Sequence, residues 1–205
     1  NDAKNIFCKP VSEVKQEKET IVSLPPGFRL LVDINDKDDP DLRAALNYTK
    51  KRGLTNSDLW KFRIGATSIG KFRRRIIMPS FDSSGNINFF TARAIDEGST
   101  RKYVNPRVQR GTVIFNEIDI DWKKELVIVE GPLDLVKVGK NATALLGSTL
   151  SVRDELFQQL VKRKTPVVLA LDPDIIEKRD KIADLLCSYD LEVSIMSISG
   201  FDDVG

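Results

Sequence analysis

Histidine is missing from this chain, and cysteine occurs only at Cys8 and Cys187. Without an imidazole there is no histidine general base, which removes Ser-His and Cys-His hydrolases. The same scarcity excludes a zinc site built within the chain. Each thiol reads simply as a buried or idle side chain, in keeping with a reducing, intracellular setting. Long apolar runs are lacking too: a stretch such as Val167 to Leu171 is strand-sized, well short of the roughly 18 residues of a membrane span. No charged-then-apolar leader is present, so no secretory signal is expected. Net charge is small, +2 from 32 Lys/Arg and 30 Asp/Glu. The chain begins with Asn1 and stops after Asp202-Asp203-Val204-Gly205, and is expected to be a piece of a longer protein.

What is there is ordinary globular material, 41% hydrophobic and 30% charged over 205 residues, enough for one large domain or two small ones. The charges are unevenly placed. From Lys61 to Arg110 eleven Lys/Arg face three acids, whereas from Glu117 to Asp134 six acids face Lys123 and Lys124. A basic half beside an acidic half suits a polyanion and a metal ion meeting at one boundary.

Residues 1–24 are polar without a lasting period and read as a linker or N-terminal tail. Residues 25–122 form the basic part. Asp39 and Pro40 supply the N-cap and first turn of a helix with Leu42, Ala45 and Leu46 on one face and Gly53 past its end. Thr55-Asn56-Ser57-Asp58 is a capping box for a short second helix. Strands are predicted at Ile76-Ile77-Met78, Ile87 to Arg93 and Val113-Ile114-Phe115, with a hairpin turn at Asp82-Ser83-Ser84-Gly85. This is a small α+β subdomain with an antiparallel sheet.

Residues 123–205 alternate strand and helix: strands at Leu126 to Val129, Ala144 to Leu146, Pro166 to Leu171 and Leu191 to Ile198. Between them lie helices at Leu133 to Val138, from an N-cap at Ser151 to Arg163, and at Ile175 to Cys187. The last of these turns Ile175, Ile182, Leu185 and Leu186 inward. Such alternation with short connections predicts an α/β architecture, a mostly parallel sheet flanked by helices on both faces.

Glu130 directly follows one of these strands and Asp172 another. Open α/β sheets bind ligands at the carboxyl ends of their strands, so both carboxylates are expected in one crevice. Asp172 and Asp174 are spaced i, i+2 and leave an extended backbone on the same side. Asp134 falls one helical turn beyond Glu130, and Asp202-Asp203 follows the last strand. Any one of these acids alone is explained by a solvated strand end or a helix cap. Together they are what a hard divalent cation such as Mg²⁺ or Mn²⁺ requires.

The run Val129-Glu130-Gly131-Pro132-Leu133-Asp134, then Leu146-Gly147-Ser148-Thr149, then Leu171-Asp172-Pro173-Asp174 resembles the TOPRIM domain. That family carries an acidic E…DxD site in primases, topoisomerases, OLD-type nucleases and recombination mediators. Pro173 stands where many primases have Gly, and Ile175-Ile176 where they have Ala-Gly. Upstream, Arg73-Arg74-Arg75-Ile76-Ile77-Met78-Pro79, Gly85 to Arg93, Lys102-Tyr103-Val104-Asn105-Pro106 and Gly111 to Phe115 are similar, in order, to segments of the DnaG-type primase core, phage types above all. The helix end Lys51-Arg52-Gly53-Leu54 and the segment Arg63-Ile64-Gly65 complete the likeness.

The resemblance implies a primase catalytic core that synthesises short RNA primers on single-stranded DNA. The reaction is attack of a nucleotide 3′-hydroxyl on an α-phosphate with release of pyrophosphate. Glu130, Asp172 and Asp174 would hold Mg²⁺ or Mn²⁺, assisted by Asp134 and Asp202. Arg75, with Arg73, Arg74 and Arg93, would face template or triphosphate, Arg75 as the catalytic arginine. Lys102, Tyr103 and Asn105 would line the same groove. Implied partners are single-stranded template, ribonucleoside triphosphates, the RNA primer and a replicative helicase, in the cytoplasm (of the host if phage-encoded), with no membrane. A zinc module before residue 1 and a helical subdomain after Gly205 are implied too. The rival expectations are a TOPRIM nuclease or topoisomerase, for which Tyr48, Tyr103 and Tyr189 are the only tyrosines, and a non-catalytic module that binds single-stranded DNA or a helicase.

Overall fold

The computed structural model describes residues 21–139, 141–147, 149–172 and 176–196. Its first half contains strand β1 (Arg29–Leu30), helices α1 (Pro40–Lys51) and α2 (Asn56–Lys61), and strands β2 (Gly65–Ala66), β3 (Arg75–Phe81) and β4 (Ile87–Ala94). The four strands form an antiparallel sheet in sequence order. The second half contains β5 (Leu126–Val129), α3 (Asp134–Val138), β6 (Ala142–Ala144), α4 (Glu155–Arg163), β7 (Val167–Ala170), α5 (Ile176–Cys187) and β8 (Val193–Ile195). These four strands are parallel, in the order β6-β5-β7-β8.

Local chemistry explains most of the boundaries. The Asp39 carboxylate accepts from the Asp41 N–H at 2.8 Å and Pro40 opens α1 without losing a needed donor. At α2 the capping box is reciprocal: Thr55 Oγ1 accepts from the Asp58 N–H at 3.2 Å, and the Asp58 carboxylate accepts from the Thr55 N–H at 2.8 Å. Between β3 and β4 the Asp82 carboxylate accepts from the Ser84 and Asn86 N–H groups, and Gly85 takes φ +84° to close the turn.

Strand alternation divides the apolar residues between layers. Val127, Val129, Ala142, Ala144, Val168 and Ala170 share one core with Ile76, Met78 and Phe89 of the antiparallel sheet and with Leu42, Ala45 and Leu59 of α1 and α2. On the other face of the parallel sheet Leu126, Ile128, Val167 and Leu169 pack with Leu156, Phe157 and Leu160 of α4 and Ile182 and Leu186 of α5. Burying each such side chain contributes about 1.5–3 kcal/mol. The parallel sheet is thus covered on both faces, and one cover includes the antiparallel half.

Four expectations need correction. Val113 to Phe115 form no strand. Ile114 and Phe115 are buried, but Asn88 Nδ2 donates to the Ile114 carbonyl at 3.1 Å and Thr143 Oγ1 to the Phe115 carbonyl at 2.7 Å. Side chains from both sheets satisfy a backbone that a ladder would otherwise have to satisfy. Strand β6 lies two residues earlier than expected, because its partner β5 ends at Val129, ahead of the Gly131-Pro132 turn. Asp154, rather than Ser151, precedes α4; its carboxylate accepts from the Ser151 N–H at 2.8 Å and folds 151–154 into a turn. Strands β1 and β2 were not expected; at two residues each they carry no readable period. Residues 197 and 198 of the expected last strand, and Ile175, lie outside the described residues. Among those described, no helix is long and apolar enough to cross a membrane.

Candidate functional site

Strands β5 and β7 are neighbours with Val129 opposite Ala170, so the residues that follow them emerge side by side at the carboxyl edge of the parallel sheet. Glu130 directly follows β5, and Asp172 stands two residues past the end of β7, after Leu171. Asp134 opens α3 just beyond, and its Oδ2 accepts from the Gly131 N–H at 3.0 Å. A Cβ on Gly131 would stand 3.1 Å from that same oxygen, so glycine keeps the turn tight against the carboxylate. Burial pushes the Asp134 carboxyl above its ordinary value, and the negative charge of Asp172 adds to the effect. The Gly131 N–H, Lys137 and Arg93 oppose it without cancelling it. Glu130 is engaged by Lys178 of α5, whose Nζ lies 3.3 Å from Oε1. Asp174 and Asp202 lie outside the described residues. Among the described residues no three acidic or cysteine side chains form a metal-holding group, though the charge of Asp172 is felt at Asp134.

The basic residues are sorted by strand register. Arg93 is paired with Ile76, and Arg75 with Ala94, so the two arginines lie on opposite faces of the antiparallel sheet. Arg93 is on the face that packs toward the parallel sheet. Its Nε donates to the Tyr48 hydroxyl at 2.9 Å, and its Nη1 to the Tyr103 hydroxyl at 2.8 Å. Arg75 points the other way and is 9% exposed. Its Nη1 donates to the Arg101 carbonyl at 2.9 Å and, at 3.4 Å each, to those of Ala92 and Lys102. The expectation that Arg75 faces template or triphosphate is therefore corrected. Being anchored in the strand fixes it, as expected, but on the inner side of the 101–102 segment.

Arg73 and Arg74 are partly committed as well. Both contact the buried Asp41, Arg74 at 3.0 Å, and Arg74 also pairs with Asp96 at 2.5 Å. Burial works against the Asp41 charge, but the hydrogen bonds from Arg73 and Arg74 outweigh it and hold the carboxyl below its usual range. The neighbouring Asp96 and Asp41 raise the Arg74 guanidinium in turn.

Beyond β4 the chain turns back along the sheet edge. The Ala94 N–H donates to the Lys102 carbonyl and the Val104 N–H to the Ala92 carbonyl, both at 2.9 Å. This sets Tyr103 beside Arg93, while Lys102 stays exposed. Asn105 Oδ1 accepts from Thr91 Oγ1 at 3.1 Å. From Tyr103 a groove of about 610 Å³ continues along Asn105, Arg107, Gln109 and Arg110. Arg110 Nη1 donates to the Leu146 carbonyl at 3.0 Å, just past β6, which ties the groove to the carboxyl edge where the acids stand. The charge of Asp134 is felt at the Tyr103 phenol and that of Arg93 at the Asp134 carboxyl. Three of the groups that build this junction were not assigned to it from sequence: Tyr48, Lys178 and Arg110. Only Arg110 had a usable signal there, as the last of the basic cluster.

No family model matches the chain. Among curated proteins it is similar to the DNA primase of Clostridium acetobutylicum, 27% identical over 176 residues, covering 77% of this chain and 29% of that protein. It is also similar to the DNA primase of Enterobacteria phage T4, 24% identical over 196 residues, covering 86% and 53%. The chain thus spans about half the length of these relatives or less. Among solved structures, the Aquifex aeolicus primase (zinc-binding and RNA polymerase domains) superposes with a TM-score of 0.65 at 25% identity, covering 78% of this chain and 51% of that one. A DnaG primase catalytic domain bound to single-stranded DNA gives 0.64 at 22% identity, covering 80% and 67%. In sequence and in fold, with its parallel sheet and the antiparallel half set against it, the chain is thus similar to DNA primases of the DnaG type.

Proposed function

We propose that this chain is the catalytic core of a DNA primase, joining ribonucleoside triphosphates into a short RNA primer on single-stranded DNA. The observation that carries this reading is the junction of two surfaces: the carboxylates after β5 and β7 at one edge, and Arg93, Tyr103 and the Arg107–Arg110 groove against it. Residues 25–122 would serve as the basic subdomain and 123–205 as the TOPRIM domain, with 1–24 as a tail. Template phosphates would run along the groove, held by Arg107, Arg110 and Lys102 without reading sequence. Tyr103 would stack on a base or sugar, and Arg93, oriented by two phenols, would clamp a phosphate in register for in-line attack.

The acids fit a hard divalent cation by donor chemistry, being carboxylates close enough for Asp172 to disfavour ionisation of Asp134. Mg²⁺ keeps several waters and takes only one or two carboxylates beside substrate phosphates, so a full cage of side chains is not required. Asp172, Glu130 and Asp134, with Asp174 and Asp202, would hold Mg²⁺ or Mn²⁺. When bound, the cation lowers the pKa of the 3′-hydroxyl and neutralises the departing pyrophosphate. Arg75 would act indirectly, by fixing the 101–103 segment that presents Lys102 and Tyr103. Arg73 and Arg74 would shape the same basic surface while paired to Asp41 and Asp96. A replicative helicase would be the partner in a cytoplasmic replication setting.

The test is incubation of the chain with single-stranded template, labelled ribonucleotides and Mn²⁺. Template-dependent oligoribonucleotides that vanish in Asp172→Asn support the proposal. Cleavage of the template without synthesis would instead support a nuclease.

A further inference from the structure

Lys178 stands in the first turn of α5, a helix of twelve residues. A cation there opposes the positive end of the helix dipole, so local electrostatics disfavour it. What holds it is Glu130, 48 residues earlier in sequence, whose Oε1 is 3.3 Å from Nζ. The Lys178 side chain is 16% exposed and that of Glu130 36%, so the pair is partly withdrawn from water and weakly screened. Glu130 is also a carboxylate that the proposed function assigns to a divalent cation, and the inference rests on that reading. An incoming dication and an ammonium repel each other, and each draws on the negative charge of one carboxylate, so either weakens the other's hold on it.

We propose that Lys178 is the resident counter-cation of Glu130: it neutralises this carboxylate in the free protein and competes with the divalent cation for it. The competition holds the metal affinity of the empty site down, so that the cation is drawn in with the nucleotide phosphates rather than ahead of them. Once displaced, the ammonium remains at the same edge as a donor for those phosphates.

Calorimetric titration of Mn²⁺ alone into the whole chain, without nucleotide, separates the outcomes. Removing a competing, partly exposed ion pair in Lys178→Met should tighten Mn²⁺ binding about fivefold. Lys178→Arg keeps the charge and should stay within about twofold of the parent. The gain should disappear when Glu130→Gln is added to Lys178→Met. Equal or weaker binding in Lys178→Met, with the parent binding normally, overturns the role of Lys178 and leaves the metal reading standing. No Mn²⁺ binding in either protein overturns the metal reading and this inference with it. Circular dichroism melts establish that each variant is folded; if Lys178→Met is not, Lys178→Gln is judged by the same criterion.

Discussion

Arg93 donates to two phenols at once, one 45 residues before it and one ten residues after it, and its ring contact with Tyr103 adds a cation–π attraction at 5.5 Å. Burial opposes its charge, and the two tyrosines outweigh that opposition, so the guanidinium stays above its already high ordinary value. A fork held on two sides is oriented before substrate arrives. Arg93→Lys keeps the charge but loses the fork. It should slow primer synthesis about a hundredfold while leaving single-stranded DNA affinity nearly intact. Tyr48→Phe removes one hydrogen bond and should slow synthesis about fivefold. Paired measurements of synthesis and affinity check both; equal losses in the two would make Arg93 a general phosphate contact. Asp134 makes a second prediction at this scale. Its folded pKa is raised, so it costs no stability below the ordinary carboxyl value of 3.8. The cost appears as pH rises past that value and through the higher folded one. Asp134→Asn should therefore melt higher than the parent at neutral pH, with the gain vanishing near pH 3.8, and should lose primer synthesis. Differential scanning calorimetry at both pH values reads the first part.

Among the elements, the short ones depend most on their caps. Helix α2 spans only Asn56–Lys61, too short to persist on propensity alone, yet it buries Leu59 and brings Lys61 Nζ within 3.1 Å of the Gly139 carbonyl at the end of α3. Thr55→Ala breaks its capping box and should cost about 1 kcal/mol, measured by urea denaturation with an unchanged slope. A loss near zero would mean that packing of Leu59 and Phe62 alone holds the helix. Strands supply the other lesson at this scale. Position along β3 indicated that Arg75 would be rigid, but rigidity and direction are separate properties. The period of two puts Arg75 with Ile77 and turns it from Arg93, and which face meets the parallel sheet is set by the core, not by the strand.

At the scale of the whole molecule, the near-zero net charge conceals a basic groove against an acidic edge. If template is held by phosphates, the logarithm of affinity should fall with the logarithm of salt by about 0.7 per contact. Arg107→Ala with Arg110→Ala should reduce that slope by about 1.4, measured by fluorescence anisotropy of a labelled oligonucleotide over a salt series. An unchanged slope would move the strand off the groove. The helix caps at Asp39 and Thr55, the Asp82 turn, the parallel order after Trp122 and the strand-end position of Glu130 were legible in sequence because each is a local matter of side chain, backbone and period. Sequence by itself therefore determined the α/β architecture and the likeness to primase cores, and named the residues from which a site is proposed. Tertiary structure alone decided that Arg93 lies on the face toward the parallel sheet and Arg75 on the face turned from it, that Val113 to Phe115 bond to side chains instead of a sheet, and that Tyr48, Lys178 and Arg110 reach the junction. Those outcomes depend on partners between 26 and 48 residues away, and no local propensity carries information about a neighbour that only packing brings near.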